Sequence, residues 1–89
     1  MAGLYFVDSF YWIALANPKD AFHGRALSWE LSHYGATLVT TEEVLAEVLT
    51  WFAGTGPSGR RIAARTVRDI LSDPRCQVLP QTRPETPLQ

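Results

Sequence analysis

Three short apolar runs, Leu4-Tyr5-Phe6-Val7, Thr37-Leu38-Val39-Thr40 and Cys76-Gln77-Val78-Leu79, alternate with segments of helical periodicity. This alternation constrains the chain more than any other feature. Strands joined through helices cannot be hairpin partners, so the connections run as right-handed crossovers and the sheet is mainly parallel. The expected class is α/β, with about three strands and four helices. The first run is short, aromatic and β-branched, and reads as a buried strand. It delivers Asp8 and Ser9 to the carboxyl edge of the sheet, where open α/β sheets place their chemistry.

The helical segments follow their own signals. Ser9 to Ala16 is a short apolar helix needing cover on almost every face, and Asn17-Pro18 closes it. A second helix runs from about Asp20, a plausible N-cap, to Tyr34, with Leu27, Leu31 and Tyr34 as its inward stripe. A third starts at Thr40 or Thr41, where Thr40-x-x-Glu43 has the capping-box spacing, and buries Val44, Leu45, Val48, Leu49 and Phe52. Gly54 to Gly59 reads as a loop. The fourth helix then spans about Arg60 to Ser72, with Ile62, Ala63, Val67, Ile70 and Leu71 inward and Asp73-Pro74 as its stop.

An 89-residue chain holds at most one small domain, and 46% hydrophobic residues with three tryptophans argue for a packed core. A net charge of −1 supplies no bulk attraction to a polyanion, so any nucleic-acid contact has to come from a local patch or through a metal. Cys76 is the only cysteine, which excludes an internal disulfide and a multi-cysteine metal site. No apolar run reaches the roughly 20 residues that span a bilayer, and the N-terminus lacks a basic leader. A cytoplasmic protein with no membrane partner is expected.

Asp8 and Glu47 are the candidate catalytic and metal-binding residues, since two carboxylates at one sheet edge suit a hard divalent cation. The alternative for Asp8 is a helix cap, and for Glu47 a solvated helix position. Glu42 and Glu43 fit the acid preference of a helix N-terminus, and Ser9, Thr40 and Thr41 fit caps more simply than phosphate ligands. His23 reads as a surface residue. Arg61, Arg65 and Arg68 gather on the outer face of the fourth helix, by default a solvated face. The glycine-rich loop follows a helix and lacks a Gly-Lys-Ser/Thr ending, so it is no nucleotide site.

Val7-Asp8-Ser9 with its short hydrophobic helix, Asp20 to Ala26, and Leu38-Val39-Thr40-Thr41 leading into Val44 to Leu49 together resemble the PIN domain. Within that family the pattern is similar to the VapC-type toxins of toxin–antitoxin pairs, over about residues 4 to 83. The resemblance implies a PIN-like parallel sheet flanked by helices, with residues 1–80 as the N-terminal part of the domain and 81–89 as an unstructured tail. It also implies RNA phosphodiester hydrolysis with Mg2+ or Mn2+, Asp8 and Glu47 being the family's first and second acids. Family members continue past the strand at Cys76 to supply a third acid and often a fourth. Asp69, Asp73 and Glu85 match neither, so a truncated domain with impaired activity is the expectation. The partners implied are an RNA substrate, a cognate antitoxin and a second copy in a homodimer. The alternative is an inactive fragment that serves as a dimerisation or antitoxin-binding module.

Overall fold

The computed structural model describes residues 3–81. Glu85 and nearly all of the expected unstructured tail fall outside the described residues. Elements follow in the order β1 (Leu4–Phe6), α1 (Ser9–Ala16), α2 (His23–Ser32), β2 (Thr37–Thr41), α3 (Glu42–Ala53), α4 (Gly56–Ser72) and β3 (Cys76–Leu79). The expected count of strands and helices is met. The strands form one parallel sheet in the order β1-β2-β3, with Phe6 beside Val39 and Val39 beside Gln77. None of the helices among the described residues is long and apolar enough to cross a membrane.

Because the strand order steps in one direction and each crossover is right-handed, all the helices land on one face of the sheet. On that face Val7, Leu38 and Thr40 are buried against Trp12, Ile13, Val44, Val48, Phe52, Ala63 and Ile70. The opposite face carries Leu4, Phe6, Val39, Gln77 and Leu79, and among the described residues no helix covers it. The reading of β1 as a buried strand is therefore corrected: Leu4 is 68% exposed and Phe6 61%, and only Val7, just past the strand, is buried. The expected parallel sheet flanked by helices is present, the helices of the described residues lying on one of its faces.

Three sequence boundaries shift for identifiable reasons. Thr41, not Thr40, caps α3, its hydroxyl accepting from Val44 N–H at 3.0 Å. Thr40 is fully buried; its hydroxyl accepts from Trp12 Nε1 at 3.3 Å and donates to the Val7 carbonyl at 3.1 Å. That one hydroxyl ties α1 to the carboxyl ends of β1 and β2. Helix α2 starts at His23, because the Asp20 carboxylate accepts from Phe22 N–H at 2.8 Å and closes a turn there. The Leu27, Leu31 and Tyr34 stripe faces solvent, with Ala26 as the buried contact and Trp29 and Glu30 half-buried instead. Trp29 stacks on His33 and meets Tyr5 and Tyr11 edge-on, an aromatic packing that sets the rotation of the helix.

Helix α4 begins inside the expected loop. Gly56 opens it at a φ of 87°, which a side chain resists, and Pro57 occupies its first turn. Gly59 is buried at the α3–α4 contact, where a Cβ would come within 2.7 Å of the Phe52 carbonyl oxygen. His23, expected at the surface, is half-buried with its Nδ1 at 2.7 Å from the Ala14 carbonyl. Phe10 is 81% exposed, so α1 is not covered all round, and Leu49 and Leu71 also leave the core.

Candidate active site

At the carboxyl edge of the sheet, β1 hands the chain directly to α1 through Asp8. Its backbone is still extended, and Oδ1 accepts from Ser9 N–H at 2.6 Å and from Ser9 Oγ at 3.3 Å. The cap interaction orients the carboxylate at the helix mouth, and the side chain stays exposed. Its second oxygen has no hydrogen-bond partner among the described residues. Capping and site readings of Asp8 are thus compatible, since each uses a different oxygen.

Glu47 projects from α3 toward α1. Together with Glu43, Ser9, Phe10, Ile13 and Trp51 it lines an open groove of about 450 Å³ between the two helices. Ser9, which donates to Asp8, also lines this groove, whereas Asp8 itself is not among the residues that line it. Glu43 and Glu47 sit one turn apart on the same helix face and concentrate negative potential there. Glu42 turns elsewhere, its Oε1 accepting from Gln81 N–H at 2.8 Å. Thr40 is buried and Thr41 caps α3, so neither hydroxyl is available to a phosphate.

The donor set suits a hard cation in kind and is short in number. Carboxylate oxygens match Mg2+ or Mn2+, and Mg2+ commonly takes only one or two protein carboxylates, completing its octahedron with water and substrate phosphate. Among the described residues no group of three or more His, Cys, Asp or Glu side chains is gathered to hold a metal without such help. The carboxylates present would fit such a cation in kind, as a partial ligand set.

Arg61, Arg65 and Arg68 are exposed along α4, opposite its buried Ala63 and Ile70. A different arginine organises the opposite end of the sheet. Arg75, just before β3, bonds Glu30 of α2 at 2.6 Å and Asp73 at 2.9 Å, donates to the Tyr34 carbonyl at 3.3 Å and lies over the Tyr34 ring. The Tyr11 hydroxyl donates to the same Glu30. Hydrogen bonding to Arg75 holds the Asp73 carboxyl below the ordinary range, while burial raises the Tyr11 hydroxyl and pushes the Cys76 thiol up to about 11. A smaller cavity of about 270 Å³ lies beside this cluster, and its acids Glu30 and Asp73 are already paired with Arg75. Sequence reasoning named none of these three residues as partners. The local Asp73-x-Arg75 spacing was a usable signal for half of the cluster; Glu30 gave none, because only the fold brings it there.

No protein-family model matches the sequence, and no curated protein matches it. Among solved structures the chain is similar to VapC20 of Mycobacterium tuberculosis, described as a sarcin-ricin loop cleaving toxin. The two share 29% identity with a TM-score of 0.74, over 89% of this chain and 57% of the toxin. The chain thus spans a little over half the length of that protein.

Proposed function

Starting from the VapC-type PIN fold of this chain, we propose that it is a metal-dependent endoribonuclease of the PIN/VapC toxin type. The reading is supported by Asp8 at the end of β1, hydrogen-bonded by Ser9, and by Glu47 on the groove that Ser9 also lines, neither with a basic partner among the described residues. Exposed carboxylates at the carboxyl edge of an open α/β sheet are free to take a hard cation. The described cleavage activity of the structural neighbour supports RNA as the substrate class.

Asp8 offers its outer oxygen and is held in place through Ser9, while Glu47 offers its carboxylate from the facing helix. Asp8 and Glu47 would hold Mg2+ or Mn2+, which would supply Lewis-acid stabilisation of the scissile phosphate and activation of water. Glu43 adds to the negative field that draws the cation in, and the substrate phosphate completes the binding site. In this reading the cognate antitoxin and the RNA are the partners, both met in the cytoplasm. Impaired activity is expected in this reading, because among the described residues no group of three or more acids is gathered to hold the cation.

The test is cleavage of a structured RNA, a sarcin-ricin loop hairpin among the substrates, with Mg2+ and with excess chelator, by the wild type and Asp8→Asn. Asparagine keeps the helix cap, so folding is preserved. The expected result is a loss of about a hundredfold for the variant and for chelated protein. Equal rates overturn the enzyme reading.

A second reading, an inactive module that holds an antitoxin or a second copy, is favoured by the lack of a third acid in the group among the described residues. An antitoxin that co-purifies equally with wild type and Asp8→Asn, alongside RNA left intact by both, selects this reading over the first.

A further inference from the structure

Two grooves meet at Trp51. The first is the acid-lined groove between α1 and α3, where Glu43 and Glu47 are the charged residues of the lining. The second, of about 350 Å³, lies where α1 ends and α4 begins, and the charged residue of its lining is Lys19. Trp51 lines both, one helical turn beyond Glu47 on the same side of α3. Its side chain is 48% exposed, and Phe52, buried in the core, meets the ring edge-on at 4.9 Å. A core residue thus braces the indole while part of it stays open to solvent. Phe10, 81% exposed, lines the acid groove from α1. Lys19 is exposed, and no acid pairs with it among the described residues.

We propose that Trp51 and Lys19 form a subsite for an unpaired RNA strand: a base stacks on the indole, and the phosphate beyond it meets the Lys19 ammonium. The order of chemistry along the path is carboxylates, open aromatic face, ammonium. A nucleic-acid strand has the matching order, with one phosphate at a cation on the carboxylates, then a base, then the next phosphate. A peptide charged with one sign is repelled at one end of this path or the other. The inference rests on the nuclease reading for the phosphate at Glu47, and it extends that reading to the neighbouring nucleotide and to the unpaired state of the strand. Duplex RNA keeps its bases stacked on one another and cannot use the indole. Every base has a π-face, so the subsite selects for exposed bases and not for sequence.

Quenching of tryptophan fluorescence by a short single-stranded RNA tests it on the full chain, in chelator so that no metal-dependent cleavage intervenes. The expected result is saturable quenching by the single strand, binding about tenfold weaker once that strand is annealed to its complement, and no quenching by a polyglutamate peptide. Trp51→Ala, at an exposed position, should weaken binding about tenfold or more, read from the anisotropy of a labelled RNA. Trp51→Phe keeps an aromatic face and should bind within about threefold of wild type while losing most of the quenching. Lys19→Ala should weaken binding about threefold and lower its salt slope by about 0.7. A wild type left unquenched up to about 1 mM RNA, duplex bound as tightly as single strand, polyglutamate that quenches as RNA does, or a Trp51→Ala that binds like wild type each overturns the proposal. Failure of the nuclease reading has a different signature: with Mg2+, wild type and Asp8→Asn cleave at equal rates, whatever the quenching titration shows.

Discussion

The two ends of the sheet treat their carboxylates in opposite ways. At the amino end, Glu30 and Asp73 converge on Arg75, with Tyr11 donating to Glu30, and the cluster knits α2, α4 and β3 together. At the carboxyl end, Asp8 accepts from Ser9, Glu43 and Glu47 line the groove beside it, and no arginine or lysine answers them among the described residues. The first arrangement serves stability, because each charge has a fixed partner. The second leaves exposed carboxylates in solvent without a charged partner among the described residues. Residue type does not separate the two uses; partners do.

Removing the partner at the amino end should expose this difference most strongly. Arg75→Met leaves Glu30 and Asp73 facing each other in a half-buried site, and a stability loss of about 3 kcal/mol is expected by denaturant titration. Cleavage per folded molecule should be unchanged; a fall in it would mean that the two ends are not separable. Thr40→Val tests the strut between α1 and the strand ends. Loss of the buried hydroxyl strands Trp12 Nε1 and the Val7 carbonyl, for about 2 kcal/mol, and it should also lower cleavage, because Asp8 is seated directly after Val7.

Acid titration separates the ends by pH. The Asp73 carboxyl titrates below its unfolded value, so its contribution is complete above the ordinary carboxylate pKa of about 4 and is lost as pH falls through the lower, folded value. Stability followed by circular dichroism should drop below about pH 4 in the wild type, with a shallower slope in Arg75→Met. The smallest effect has the opposite sign. Glu47→Gln relieves repulsion from Glu43 one turn away and should raise stability by about 0.3 kcal/mol while lowering cleavage. A destabilised Glu47→Gln would show that this acid has a structural partner after all.

Much of this was legible in the chain. The alternation of runs and periodic segments gave the α/β class, the parallel sheet and the carboxyl-edge placement of Asp8, all of which depend on local pattern and on the handedness of crossovers. The α3 stripe of Val44, Leu45, Val48 and Phe52 was readable from its period, and it fixed the side of the helix on which Glu47 lies. The α2 stripe misled, because apolar residues at helical spacing say that a face exists and not which neighbour it meets. Trp29 and Ala26 gained the packing, and Leu27, Leu31 and Tyr34 were left outside. Thr40 shows the same limit: a hydroxyl before a helix looks like a cap until a tryptophan from another helix reaches it.

By itself, then, the sequence determined which segments become strands and helices and which acids stand near the sheet edge, since hydrophobic period and turn chemistry act within a few residues. Only the tertiary structure decided which face of the sheet is covered, which carboxylates find an arginine and which remain unanswered. Those outcomes depend on contacts between residues far apart in the chain, such as Glu30 with Arg75 and Trp12 with Thr40, and no local pattern encodes them.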